Sequence, residues 1–188
     1  MNAAWAAAVA LLALAGCGSD EQPTASPHCV APPLPAVEPR EVATGVSVDD
    51  AYAVHERLLR EVGPDEDLSD LNPGERAVYS VLILEAEVNN GGHFQFFFNT
   101  GQLTDEALDG LRLLEAREYE QLLRRAVAQF PGCDVPDDLD DVQSEIDMMT
   151  PDQEAVVEAV DDRFFELDEK KTIGRYAAEY ISAHPDDF

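Results

Sequence analysis

The residues best placed to do chemistry lie in the stretch EVNNGGHFQFFFNTG, residues 87–101, where His93 sits between two glycines and a run of phenylalanines. Chemistry at His93 would be proton transfer, and it would need a carboxylate or a nucleophile within hydrogen-bond reach. The acidic residues nearest in sequence are Glu85 and Glu87. Two residues apart on a helix, they do not face each other. A metal centre would call for ligands at a spacing such as HExxH, and His28, His55, His93 and His184 show none. Gly91-Gly92 follows no strand and lacks the wider pattern of a phosphate-binding loop. No catalytic residue, metal ligand or cofactor is expected from these residue types, and the chain does not read as an enzyme.

What the stretch predicts is a corner between helices. Asn89, Asn90, Gly91 and Gly92 tolerate the left-handed backbone that follows a helix C-terminus. Phe94, Phe97 and Phe98 then fall at i, i+3 and i+4, one face of a short helix that Gly101 ends. The fold around such a corner should be all-α. Residues 47–188 read as six to eight helices joined by short connections, with no alternation that demands a strand. Ser47 and Asp50 have capping-box-like spacing before Ala51, Val54, Leu58 and Leu59, and Gly63-Pro64 stops that run. Asn72-Pro73 opens the next helix, and its centre, VYSVLILEAEV, is apolar almost all round, as a central helix would be. Residues 103–130 read as two helices. Thr150-Pro151 starts another, with Val156, Val160, Phe164 and Leu167 as its stripe. The last places Ile173, Tyr176, Ala177, Tyr180 and Ile181 on one side.

Charge dominates the composition. The formal net charge is -27, from 39 acidic against 12 basic side chains, with a hydrophobic fraction of 45% that is ordinary for a folded protein. Such a surface repels nucleic acid and anionic lipid, so direct nucleic-acid binding is not expected, and it attracts basic proteins and peptides. Between Asp134 and Lys170 stand 15 acidic residues opposed only by Arg163 and Lys170. Asp137, Asp138, Asp141 and Glu145 form one candidate ridge, and Glu154, Glu158, Asp161 and Asp162 another. No D-x-D-x-D-G calcium loop is present.

The N-terminal region reads as an address. Residues 1–16, MNAAWAAAVALLALAG, carry no charged side chain, are too short for a comfortable membrane span, and fit a secretory signal. Leu14 to Cys17, LAGC, resembles the lipobox of bacterial lipoproteins, which implies lipidation at Cys17. The departure is an n-region without Lys or Arg. Residues 17–46 hold six of the twelve prolines and read as an extended tether. With Cys17 lipidated, Cys29 and Cys133 remain, and in an oxidising envelope they could pair. Membrane attachment would then be through the lipid anchor alone.

The run from Glu87 through Asn90, Gly91, Gly92, Gln95, Phe96 and Phe97 to Asn99 resembles the hallmark of the DNA-mimic-protein domain family, E-x-x-NGG-F/H-x-Q-F/Y-F-x-N. The resemblance extends in order over residues 47–188 and includes the closing H-x-x-x-F at His184 and Phe188. His93-Phe94 departs from the aromatic that more often follows the glycines. The resemblance implies an all-helical, acidic, non-enzymatic domain whose carboxylates stand in for phosphates on a basic regulator. Three readings follow. The first is a lipid-anchored envelope domain that binds a basic protein or peptide. The second is a cytoplasmic DNA mimic that occupies the DNA-binding surface of a transcription factor. The third is an undetected hydrolase or metal-binding domain. Oligomeric state is open, with a homodimer one option.

Overall fold

A computed structural model describes residues 31–36, 47–63 and 67–188. Among the described residues seven α-helices follow in order: α1 (Val48–Val62), α2 (Pro73–Thr100), α3 (Thr104–Leu113), α4 (Arg117–Val127), α5 (Leu139–Asp147), α6 (Pro151–Asp168) and α7 (Ile173–Ala183). 3₁₀ turns supplement them at Gly101–Leu103, Pro131–Cys133 and Pro185–Asp187. No strand occurs among the described residues, and the class is all-α.

The starts of the helices are locally encoded. Asn72 accepts from the Glu75 amide while the Glu75 carboxylate accepts from the Asn72 amide, and Pro73 fills the first position. Thr150, Gln153 and Pro151 repeat the arrangement for α6. At α1 the expected pairing with Asp50 is not formed; Ser47 caps through the Asp49 amide alone. Gly63 ends α1 with φ +68, and its amide returns to the Leu59 carbonyl.

α2 is the hub, and α1, α3, α5, α6 and α7 all pack on it. Its first half buries residues on every side (Ala77, Val78, Tyr79, Val81, Leu82 and Leu84), which explains why the sequence there lacks a polar face. The expected corner is a break inside this helix. Gly91 (φ -165, ψ 27) and Gly92 (φ +78, ψ -178) leave helical geometry, and the chain resumes at once. That restart resets the phase of the face, so the phenylalanine assignment changes. Residues 93, 96, 97 and 100 form the buried stripe, with Phe96 and Phe97 fully enclosed; Phe94 is half-buried and Phe98 exposed. Phe97 meets Phe96 and Phe130 at ring distances of 5.5 and 4.9 Å. The buried stripe of α6 likewise runs through Val157, Val160, Phe164 and Leu167, with Val156 only half-buried.

Part of the predicted tether lies on the domain. Pro35 is buried, Leu34 packs against the core, and Arg125 Nη1 of α4 donates to the Pro32 carbonyl at 2.6 Å. At the other end, the ring of Tyr180 stacks on His184 at 4.2 Å and meets Phe188 edge-on. Asn72 Nδ2 donates to the Asp187 carbonyl at 2.8 Å, closing the C-terminal turn over the start of α2.

Candidate functional site

The geometry at the break accounts for the sequence motif. Glu87, on the last turn before the glycines, accepts from Gln95 Nε2 at 3.0 Å and from Asn99 Nδ2 at 2.8 Å. One carboxylate oxygen thus ties the two halves of α2 together across the break. Glu87→Ala should cost about 1–2 kcal/mol, less than a fully buried charged network because the site is partly wet. Urea unfolding checks this, and Glu87→Gln should recover part of the loss.

His93 opens the second half and is almost fully enclosed, 1% exposed. Its backbone N–H and its ring Nδ1–H both donate to Asp161 Oδ1, at 2.9 and 2.6 Å. A carboxylate acceptor places the proton on Nδ1. The ring packs edge-on against Phe164 at 5.7 Å. The partner that a catalytic reading required therefore exists, 68 residues away on α6 rather than at Glu85 or Glu87. Among the described residues no hydroxyl or thiol is hydrogen-bonded to the ring, and the ring has almost no access to solvent. Its chemistry is structural: Asp161 caps an unpaired amide at a helix start, where the dipole favours an anion. Asp161 is accordingly withdrawn from the solvent-facing ridge, with its side chain 19% exposed.

A second buried carboxylate escaped the sequence reading. Glu85 Oε1 accepts the Gly174 amide at 2.9 Å, and Oε2 accepts the Tyr52 hydroxyl at 3.2 Å. Burial pushes its carboxyl up to about 7, Asp168 adds to the rise, and these two donors together with the Ile173 amide oppose it. Tyr52 is in turn pushed up to about 12, first by burial and then by Glu85. The available signal was one acidic residue inside VLILEAEV, an otherwise apolar run.

The rest of the acidic ridges faces outward. Glu154, Glu158 and Asp162 are exposed along α6, successive carboxylates rising about 6 Å. Asp137, Asp138 and Asp141 are exposed at the start of α5, and Glu145 is half-buried on it. Asp138 also caps α5, accepting from the Asp140 and Asp141 amides at 2.9 and 3.3 Å. α5 rests on the second half of α2, where Gln143 Nε2 donates to the Phe98 carbonyl, and α6 lies against α4 and α2. Arg163, the one cation on α6, pairs with Glu166 at 2.6 Å and leaves the ridge uncompensated. Among the described residues no ion pair engages Asp137, Asp141, Glu145, Glu154, Glu158 or Asp162.

Cys133 is disulfide-bonded. Its expected partner Cys29 lies outside the described residues, as do the signal segment 1–16 and Cys17. Among the described residues no three His, Cys, Asp or Glu side chains converge on a metal position, and no helix is long and apolar enough to cross a membrane.

Fold and site together define a class: an all-helical domain built on a glycine-broken central helix, with rows of unpaired carboxylates on two later helices. The chain belongs to the DMP19-like protein family, whose model matches residues 69–184. The match runs from just before α2 to just after α7, so it takes in the broken helix and both ridges and supports a DNA-mimic-protein-type domain. No curated protein and no solved structure matches the chain.

Proposed function

We propose that this is a non-enzymatic interaction domain, displayed on a lipid anchor at the bacterial cell envelope, whose carboxylate rows on α5 and α6 bind a basic protein or peptide. The observation that carries the proposal is the uncompensated charge. Residues 134–170 hold 15 acidic side chains against two basic ones, and Glu154, Glu158 and Asp162 line one helix face without a counter-ion. Each unpaired carboxylate is a position that a lysine or arginine can neutralise, and together they steer a basic partner toward the face. The disulfide at Cys133 supports an oxidising compartment, in keeping with the lipobox-like LAGC at Cys17.

Family membership favours a second reading, a cytoplasmic domain that imitates DNA on a DNA-binding protein. Two rows of carboxylates would need to approach the duplex density of roughly one charge per 1.7 Å of axis. The readings separate at the N-terminus. Cys17→Ser should abolish lipidation and move the protein from membranes to the soluble fraction, read by intact mass and fractionation. A wild type that is unmodified and soluble would defeat the envelope reading. For a captured partner, affinity should fall steeply as salt is raised, and duplex DNA should compete only if the face stands in for phosphates.

A further inference from the structure

Four helices meet at one buried carboxylate that no cation neutralises. Glu85 of α2 is 4% exposed, and among the described residues none of the ion pairs includes it. Its donors are the Gly174 and Ile173 amides in the first turn of α7 and the Tyr52 hydroxyl of α1. α6 contributes Asp168, whose Oδ1 is buried without a hydrogen-bond partner. The other groups that face this junction electrostatically are Asp49 of α1 and Tyr119 of α4. Tyr176 of α7 lies against Tyr119. Lys171 offers no compensation, because its ammonium pairs with Glu179 at 2.5 Å and lies over the Tyr176 ring. The fit is close: a Cβ on Gly174 would stand 2.9 Å from the Tyr52 hydroxyl and 3.2 Å from Glu85 Oε2.

We propose that this junction is a proton-operated clamp: the domain is held tightest with a proton on Glu85, and ionisation of that carboxyl against Asp168 loosens the first turn of α7 from α1 and α2. A carboxylate taken out of water without a cation costs more than the neutral donors around Glu85, the Gly174 and Ile173 amides and the Tyr52 hydroxyl, return. Protonated, Glu85 keeps the Gly174 amide on Oε1 and donates from Oε2 to the Tyr52 oxygen. The Tyr52 hydroxyl then accepts from Glu85 where it had donated to it. Both backbone and side-chain hydrogen bonds survive, and the opposition to Asp168 disappears. Burial pushes Glu85 to about 7, a range in which surface carboxylates have already ionised, so the clamp reports on pH near neutrality.

The sign follows from linkage. A carboxyl raised in the folded state stabilises the fold fully below its unfolded value, and this contribution is lost as pH rises through the folded one. In the full-length protein the unfolding equilibrium constant should therefore rise by up to tenfold per pH unit between about pH 5 and 7, then level off. Glu85→Gln, neutral at every pH, should flatten that slope and exceed the wild type in stability at pH 8. Should that variant not fold, the wild type carries the test alone through a carbon-13 titration of its side-chain carboxyls. Glu85 is expected to titrate well above the surface carboxylates, and Asp168→Asn to lower its midpoint. Amide exchange at Gly174, corrected for intrinsic pH dependence, should quicken over the same range. A Glu85 carboxyl that titrates below pH 5, or a midpoint indifferent to Asp168→Asn, would overturn the clamp.

Discussion

Gly92→Ala should be the most damaging small substitution in the domain, with a loss of about 3–5 kcal/mol. Two costs combine at that position. The backbone is at φ +78, ψ -178, a region essentially reserved for glycine, which an L side chain occupies at a cost of about 1–3 kcal/mol. The added Cβ would then collide with the Asp161 carboxylate. Moving Asp161 breaks both hydrogen bonds to His93, one of which caps the second half of α2. Hydrogen bonds to a charged group are worth about 1.5–3 kcal/mol each, so even partial loss is large against a typical stability of about 5–15 kcal/mol. Gly91→Ala is the control. Its φ of -165 is extended backbone open to any residue, and its Cβ would press on the Gln95 side chain, whose amide can turn aside at the cost of its hydrogen bond to Glu87. That variant should lose about 1 kcal/mol. Circular dichroism in a urea series distinguishes the two, and a Gly92→Ala protein as stable as Gly91→Ala would show that the break is not held as described.

Neutralising the outward ridges should have the opposite profile: a firmer fold and a lost partner. In a variant carrying Asp137→Asn, Asp141→Asn, Glu154→Gln, Glu158→Gln and Asp162→Asn, three pairs of like charges four residues apart are relieved, at Asp137/Asp141, Glu154/Glu158 and Glu158/Asp162. The two on α6 lie within one helix, where each such pair destabilises by about 0.2–0.5 kcal/mol. Stability should hold or rise slightly, since these side chains make no ion pairs among the described residues. Affinity for the basic partner should fall on the order of 100-fold at low salt, mostly through slower association, and the salt dependence should flatten. Asp161 is deliberately spared, because its substitution would damage the corner and confound loss of binding with loss of fold. Binding unchanged by the five substitutions would remove the acidic face from the function, whatever compartment the protein occupies.

Much of the fold was legible because helix signals are short-range. Asn72-Pro73, Thr150-Pro151 and Gly63 each act within one turn and each is realised, whereas the box expected between Ser47 and Asp50 is not formed. The apolar centre of α2 announced its burial for the same reason. Phase was less legible. Counting from the end of one helix placed Phe94 and Phe98 inward, whereas the helix restarts after Gly92 with His93 as its first buried residue. A break of two residues rotates everything after it, and no local rule says by how much.

The carboxylates divide along the same line. Sequence composition determined that the protein is strongly acidic, and spacing determined which carboxylates could share a helix face. Neither could tell which of them the fold would consume. Glu158 and Asp162 look outward while Asp161, between them in character and position, turns in to hold His93. Glu85 is buried among four helices and Glu87, two residues on, staples the break. Helix type and capping depend on neighbours a few residues away, so the chain states them directly. Which side chains meet across 68 or 89 residues depends on where α6 and α7 settle against α2, and only the packed structure decides that.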